Sequence, residues 1–225
     1  MKRFVLIFLA ILPAFCLSQN SLQKNKMDWF EDAKLGIFIH WGIYSVNGIS
    51  ESWSFFNEYI SHDDYMKQLD GFTANNYNPN DWVKLIKESG AKYTVITSKH
   101  HDGFALWKSK HGDLNSFYNS ISKKDVLTPF VRAVKKNDLK LGLYFSLPDW
   151  SFNDYTHHTT SIKRYNIKDN PERWSKFQKY MFSQLDELSK NFNPDLWWFD
   201  GDWEHKSEDW NVNKIKSKLL TKNQN

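Results

Sequence analysis

Residues 170–201 read NPERWSKFQKYMFSQLDELSKNFNPDLWWFDG and contain a helix followed by a strand. Asn170 and Pro171 predict the helix start, because asparagine caps free backbone N–H groups and proline fits the first helical position. An apolar stripe at helical spacing follows, made of Trp174, Phe177, Met181, Leu185 and Leu188. The apolar run 195–199 then predicts a buried strand that ends at Asp200.

The same helix-then-strand order occurs twice before this stretch. A helix that starts at 78–79 precedes a strand at 93–97, and a helix that starts at 128–129 precedes a strand at 139–145. The apolar run within 34–41 lacks polar alternation, so it predicts a first strand that is buried on both faces. One more helix after the last strand is indicated by the spacing of Val212, Ile215 and Leu219.

Strands that alternate with helices predict an α/β fold with a mainly parallel sheet. The residues able to carry chemistry all follow strand ends: His40, His100, His101, Tyr144 with nearby Asp149, and Asp200. A (β/α)8 barrel has its active site at that end of the strands, and a doubly wound sheet obeys a similar rule. Long aromatic loops and the lack of a glycine-rich phosphate loop favour the barrel.

The chain is short for a complete barrel. A (β/α)8 domain takes about 250 residues, whereas only four strand units are predicted here. We therefore expect residues 19–225 to be the N-terminal part of a catalytic barrel, about its first half, truncated at the C-terminus.

Composition narrows the class of protein. The formal net charge is +4, and no basic block is dense enough to predict nucleic-acid binding. Aromatic residues make up 17% of the chain and include 11 Trp. Aromatic rings can stack on sugars, which favours a carbohydrate ligand, while the competing interpretation is a tryptophan-rich core.

Residues 1–18 have the pattern of a secretory signal peptide: a basic start, an apolar run too short to span a bilayer, and small residues Cys16 and Ser18 before Gln19. The alternative is an uncleaved anchor. Cys16 is the only cysteine, so the mature chain is expected to have neither disulfides nor a catalytic thiolate. Export to a bacterial periplasm or the cell exterior is expected, with no membrane span in the mature chain.

Asp200 is the strongest catalytic candidate, because a rigid strand end between aromatic residues suits a glycosidase nucleophile. The competing roles are a helix cap or an ion pair. Adjacent strand residues face opposite ways, so His100 and His101 are not expected to chelate one metal ion. They and His40 are expected to hydrogen-bond a substrate hydroxyl, whereas the pair at 157–158 is predicted to be solvated.

A loop after the first strand offers a second pair of sugar-binding groups. Glu51 can bind hydroxyls and Trp53 can cover a ring face, although a packed surface loop is an equal alternative. Asp202 and Glu204 follow the fourth strand closely. Either could supply a second carboxylate, but solvation is the default for both.

Four segments together resemble the α-L-fucosidases of glycoside hydrolase family 29. They are HWGIYSV at 40–46, SKHHDGF at 98–104, GLYFS at 142–146 and WFDG at 198–201. The resemblance extends over about 27–210, with the segments in the right order and spacing.

The resemblance implies a (β/α)8-like domain followed by a β-sandwich, and a retaining enzyme that needs no cofactor or metal and acts on a fucosylated glycan or oligosaccharide. Asp200 resembles the catalytic nucleophile. Seven further residues resemble those of the family's fucose pocket: His40, Glu51, Trp53, His100, His101, Tyr144 and Trp198. The family more often has adjacent Glu and Trp, whereas here Ser52 separates them. In the family, the general acid/base and a pocket arginine come from later strands, which are expected beyond Asn225.

Three functions remain open at this level. The first is a portion of a secreted retaining α-L-fucosidase, and the second is a non-catalytic fucose-binding remnant of a truncated gene. The third is a metal-dependent hydrolase that uses His40, His100 and His101.

Overall fold

A computed structural model describes residues 27–112 and 114–221. The signal peptide predicted at 1–18 lies outside the described residues. The chain divides into two units, Met1–Asp32 and Ala33–Asn225, of which the second contains the whole sheet. Among the residues described, no helix is both long enough and apolar enough to cross a membrane.

The second unit contains a four-stranded sheet in which every pair of neighbours is parallel and the spatial order is the chain order. The strands are β1 (Gly36–Ile39), β2 (Tyr93–Lys99), β3 (Lys140–Ser146) and β4 (Leu196–Asp200). The four predicted strands are thus confirmed, with ends that differ by one or two residues. Because all the strands run the same way, their carboxyl ends lie along one edge of the sheet.

Helices alternate with these strands. They are α1 (Asp28–Ala33), α2 (Trp53–Phe56), α3 (His62–Met66), α4 (Pro79–Glu88), α5 (Leu127–Lys136), α6 (Pro171–Phe192), α7 (Ser207–Trp210) and α8 (Val212–Thr221). Short 3₁₀ turns cover Ile43–Ser45, Lys67–Asp70 and Asp202–Glu204. The architecture is therefore a run of strand–helix units in which the predicted helices α4, α5, α6 and α8 are all present.

The helix starts follow local capping chemistry. Asn78 caps α4, since its side chain accepts a hydrogen bond from the Asn80 N–H at 3.0 Å. Asn170 occupies the N-cap position of α6, as predicted, but its side chain makes no capping hydrogen bond. Helix α5 begins at Leu127, one residue before the start predicted at 128–129, and the Asp125 carboxylate accepts a hydrogen bond from the Thr128 N–H at 2.8 Å.

The two faces of the sheet have different roles. On β3, Leu141, Leu143 and Phe145 are buried in the main core, together with the complete apolar stripe of α6. Tyr144 and Ser146 alternate with them and face the concave side. This alternation packs the helices on one face and leaves the other for polar chemistry.

The two edge strands are less covered than the sequence predicts. Phe38 in β1 is 39% exposed and Trp198 in β4 is 47% exposed, so burial of β1 on both faces was wrong. In the part of the chain that is described, β1 and β4 each pair with one neighbour only. The rings of Phe38 and Trp198 nevertheless approach to 5.3 Å, because the sheet curves as the start of an open barrel that does not close.

An ion pair lies beneath the carboxyl ends of β2 and β3. Lys99 Nζ is 3.2 Å from Asp149 Oδ2, and the two side chains are 0% and 2% exposed. Asp149 also accepts hydrogen bonds from the Tyr180 hydroxyl at 2.9 Å and the Phe152 N–H at 3.0 Å. Burial is the main cause that lowers the pKa of Lys99, and the Asp149 charge opposes it.

We expect Lys99→Met to lower the free energy of unfolding by about 3–5 kcal/mol, because it leaves the buried Asp149 carboxylate without its counter-ion. Urea unfolding followed by circular dichroism measures the change. The double variant Lys99→Met/Asp149→Leu should lose less than the sum of the two single variants.

The control is Lys67→Met, which breaks the exposed pair with Asp64 and should change stability little. An equal effect of Lys67→Met and Lys99→Met would contradict a structural role for the buried pair.

Candidate functional site

Asp200 ends β4 and is held by two hydrogen bonds. The Tyr144 hydroxyl donates to Oδ2 at 2.5 Å, and the Gly201 N–H donates to Oδ1 at 2.9 Å. Gly201 has φ 80°, a left-handed conformation that glycine adopts without strain. A Cβ there would lie 2.2 Å from Pro148 Cδ. The side chain of Asp200 is 25% exposed, so the carboxylate is oriented by protein donors and still accessible.

His101 points an unpartnered nitrogen towards this carboxylate. The Ser146 hydroxyl donates to the Pro148 carbonyl at 2.6 Å, so Ser146 Oγ accepts from His101 Nδ1–H at 2.5 Å. The Nε2 lone pair therefore faces the site, 3.7 Å from Asp200 Oδ2, and has no hydrogen-bond partner among the described residues. Burial lowers the pKa of His101 to about 4, which keeps the ring neutral and makes Nε2 an acceptor.

His100 lies on the same side as His101, contrary to the prediction that they face opposite ways. Their ring centroids are 4.4 Å apart. The reason is that β2 ends at Lys99, after a register irregularity between Thr97 and Lys99, so strand alternation does not extend to the two histidines.

A buried serine orients His100. Ser52 Oγ accepts from the Asp102 N–H at 3.0 Å and lies 2.5 Å from His100 Nδ1. The ring of His100 stacks on that of Tyr144 at 5.6 Å. Burial, followed by the neighbouring histidines, lowers the pKa of His100 well below its ordinary value. His100 is therefore a neutral, fixed wall of the site.

His40 completes the group from β1. Its ring centroid is 4.9 Å from that of Tyr144 and 5.5 Å from that of His100. Desolvation lowers its pKa, and the charges of Glu51 and Asp200 oppose that shift. Glu51 thus acts on the same site from the loop after β1. Its φ of 31° is unusual for a residue with a side chain.

Aromatic rings frame the polar groups. Trp53 packs at 5.5 Å from His101, and Trp150 packs at 4.5 Å from His101 and 4.9 Å from Trp53. Trp198 precedes Asp200 by two residues on the same face of β4 and contacts Phe38 rather than the histidines. The predicted aromatic residues are therefore divided between the rim, at Trp53, and the barrel interior, at Trp198.

Two other carboxylates near the strand ends accept hydrogen bonds from protein donors. Glu204 accepts hydrogen bonds from Trp150 Nε1 at 2.7 Å and from the Tyr155 hydroxyl. Asp102 is fully buried and accepts from the Tyr65 hydroxyl at 2.5 Å. Asp202, the other candidate second carboxylate, is exposed. Glu204 is therefore a partly buried, hydrogen-bonded group and not the solvated residue that the sequence predicts.

The site also contains a set of groups that could hold a metal ion. One ligand atom each from His100, His101 and Asp200 lies within 4.8 Å of the others. The metal-dependent alternative from the sequence used His40, His100 and His101. Among the described residues, the set that could share one metal ion contains Asp200 instead of His40.

Several residues that orient the site were not singled out from the sequence, although Asp102 and Ser146 lie within the segments 98–104 and 142–146. Ser52, Tyr65, Asp102 and Ser146 act through buried hydrogen bonds to the site or to each other. Their positions in the sequence could have indicated a role at the site, since Ser146 ends β3 and Asp102 follows the histidine pair. The same holds for Trp150, because it follows Asp149 in the loop after β3.

Comparison with known proteins identifies the relatives of the chain. A sequence model of the family α-L-fucosidase matches residues 14–225. An α-L-fucosidase of Branchiostoma floridae is 34% identical over 222 residues, which cover 88% of this chain and 46% of the relative. An α-L-fucosidase of Dictyostelium discoideum is 31% identical and covers 98% of this chain and 53% of the relative.

Solved structures give the same result. A GH29 α-L-fucosidase from Bacteroides thetaiotaomicron superposes with a TM-score of 0.77 and 31% identity, covering 89% of this chain and 46% of that one. A trapped covalent intermediate from the same organism, with 2-fluoro-fucosyl fluoride and a Glu-to-Gln mutant, has a TM-score of 0.74, 30% identity and coverage of 88% and 47%. The four-stranded sheet thus matches the first half of a (β/α)8 catalytic domain. The chain spans about half the length of these relatives.

We expect stability to fall as the pH drops below 6.5. Six histidines of the described chain have lowered pKa values, so the unfolded state binds more protons than the folded state as the pH falls below 6.5. They are His40, His62, His100, His101, His157 and His205. At pH 5, His101 alone should cost about 2 kcal/mol.

Urea midpoints at pH 7.5 and pH 5.0 measure this loss. Asp102 opposes it, because burial raises its pKa to about 6 and the folded state then binds the proton more tightly. An unchanged midpoint across this range would contradict the neutral state of the histidines.

Proposed function

Because the chain belongs to the α-L-fucosidase family, we propose that it supplies the fucose pocket and the nucleophile of a retaining α-L-fucosidase. The substrate is a terminal α-L-fucoside of a glycan or oligosaccharide. The observation that carries the proposal is Asp200, an accessible carboxylate fixed between Tyr144 and Gly201 with the His101 Nε2 lone pair beside it.

Attack by Asp200 is the first step of the proposed reaction. A carboxylate oxygen forms a bond to the anomeric carbon of fucose, and the bond from that carbon to the leaving-group oxygen breaks. The leaving oxygen takes a proton from a general acid. Water then attacks the anomeric carbon of the glycosyl ester and gives a proton to the deprotonated general acid, while the bond to the carboxylate oxygen of Asp200 breaks and fucose is released. The relative trapped as a covalent intermediate supports this two-step course.

The general acid is proposed to come from residues outside this chain. Retaining hydrolysis needs a second carboxyl group about 5–5.5 Å from the nucleophile. Asp102, Asp149 and Glu204 are each engaged by protein donors or a counter-ion. The 225 residues would therefore bind fucose and position the nucleophile, but turnover would depend on the remainder of a complete domain.

The residues around Asp200 are proposed to bind the sugar. His101 Nε2 is proposed to accept a hydrogen bond from a fucose hydroxyl, since its lone pair faces the site. His40, His100 and Glu51 would bind further hydroxyls from the β1 side. Trp53 and Trp198 offer apolar faces for the C–H surface of the ring.

In the complete catalytic domain, we expect Asp200→Gly to lower turnover of an aryl α-L-fucoside roughly 10³-fold or more. Azide should restore part of the rate, because it enters the vacated space and attacks from the same face. The product should be β-L-fucosyl azide, identified by NMR. Circular dichroism checks that the variant is folded.

Asp202→Asn is the matched control, as it alters an exposed carboxylate two residues away and should retain activity. Near-normal turnover by folded Asp200→Gly would reject the nucleophile. Fucose binding without turnover by the 225-residue chain, together with a gene in which no reading frame continues into the missing strands, would instead favour the fucose-binding remnant.

Export of the protein is part of the proposal and rests on the signal-peptide pattern of residues 1–18. N-terminal sequencing of protein from its own host should begin near Gln19. Leu9→Arg, which interrupts the apolar run, should leave Met1 in place and retain the protein in the cell. Recovery of the unsubstituted protein with Met1 from the soluble cell fraction would contradict export.

A further inference from the structure

A second cluster of metal-binding side chains lies outside the fucose pocket. It consists of His157, from the segment after β3, and Glu204 and His205, from the turn after β4. One ligand atom of each lies within 4.8 Å of the others, and all three residues are partly buried. The sequence alone predicted that His157 was solvated. The fold instead brings it to two groups that are distant in the chain.

The two imidazoles converge on one point. Thr156 Oγ1 is 2.8 Å from His205 Nε2 and 3.0 Å from His157 Nδ1. A hydroxyl has a single hydrogen, so it can donate to only one of these nitrogens. The two rings thus direct their nitrogens at the same small volume, beside a buried hydroxyl that could serve as a further oxygen ligand.

The carboxylate of Glu204 is fixed beside them. Trp150 Nε1 donates to Oε1 at 2.7 Å, the Tyr155 hydroxyl donates to Oε2, and Oε2 is 3.8 Å from His157 Nδ1. A carboxylate has about four lone-pair positions, so both oxygens keep capacity for a ligand bond. These donors hold the carboxylate in orientation much as outer-shell hydrogen bonds do in metalloproteins.

The spacing of the three ligand atoms is wider than that of a bound zinc site and would have to contract. Ligands about 2.0–2.1 Å from a tetrahedral zinc ion are roughly 3.4 Å apart. His157 Nδ1 and Glu204 Oε2 are 3.8 Å apart and would need to approach by a few tenths of an ångström, while the remaining pairs lie within 4.8 Å and would need to approach by at most about 1.4 Å. Two histidines and one glutamate are also a donor set that zinc uses in proteins.

Two nearby cations, Lys163 and Arg164, oppose a bound cation. Lys163 is exposed, however, and the Arg164 guanidinium is directed to the backbone carbonyls of Trp150 and His157. Asp209 adds a favourable negative charge near His205.

We propose that His157, Glu204 and His205 form a binding site for Zn²⁺ or a similar divalent transition metal ion, which ties the segment after β3 to the turn after β4. The site uses none of the residues proposed to bind or attack fucose. It is coupled to the pocket through Trp150, whose ring packs on His101 and whose Nε1 bonds Glu204. A bound ion would therefore stiffen the turn that follows Asp200.

The test is calorimetric titration of the chelator-treated chain with Zn²⁺, with Mg²⁺ as the hard-ion comparison. We expect one equivalent of Zn²⁺ to bind, no binding of Mg²⁺, and a higher melting temperature with Zn²⁺. His157→Gln, His205→Gln and Glu204→Gln should each weaken binding at least about tenfold and remove the thermal shift. His157→Gln alters a side chain that is 27% exposed, against 10% for Glu204, so it should unfold the chain less readily than Glu204→Gln.

His111→Gln is the matched control, because His111 lies in another loop and belongs to neither convergent set. Circular dichroism establishes that each variant is folded. Absence of Zn²⁺ binding at about 100 µM free ion would overturn the proposal. Binding that survives both His157→Gln and His205→Gln would also overturn it, since the ion would then occupy another set such as His100, His101 and Asp200.

Discussion

The buried ion pair between Lys99 and Asp149 is the contact on which the candidate site depends. Lys99 is the last residue of β2 and immediately precedes the two pocket histidines, while Asp149 immediately precedes Trp150. Desolvation makes such a pair costly to leave unpaired, so the two strand ends are held in one relative position. Gly103 shows how tight the contact is, since a Cβ there would lie 2.5 Å from Asp149 Oδ1. The Trp150 N–H then donates to the His101 carbonyl at 2.8 Å, which joins the loops after β2 and β3 directly.

Two serine hydroxyls fix the orientation of the histidine rings at these strand ends. An imidazole can present either a donor or an acceptor, and the outcome depends on the bond made by its other nitrogen. Ser146 fixes this for His101, because its own hydrogen is used by the Pro148 carbonyl. Ser52 holds His100 from the β1 side. Neutral, oriented rings beside a carboxylate suit a polyhydroxylated ligand, whose O–H groups can donate to nitrogen and accept from other donors.

Local patterns in the sequence predicted the elements and their order well. Asn78, Pro171 and the apolar stripe of α6 depend on neighbours within a few turns, so capping and periodicity are enough to find them. The relative direction of His100 and His101 was missed because it depends on where β2 stops. Glu204 and His157 were missed for a different reason, since their partners come from another loop. The exposure of β1 also depends on which strands lie beside it in the sheet. The residue pattern within one strand does not contain that information.

The carboxylates of the strand-end loops differ in what surrounds them, and this separates Asp200 from the rest. Asp149 is neutralised by Lys99, Asp102 is enclosed with Tyr65, and Glu204 is bound by two aromatic donors. Each of these arrangements supports the fold because it satisfies a charge away from water. Asp200 keeps partial access to solvent and faces a histidine nitrogen that has no partner among the described residues. A carboxylate that is held in place and still accessible is the one that a ligand can reach, which is why the nucleophile is proposed at Asp200 and not at Asp102, Asp149 or Glu204.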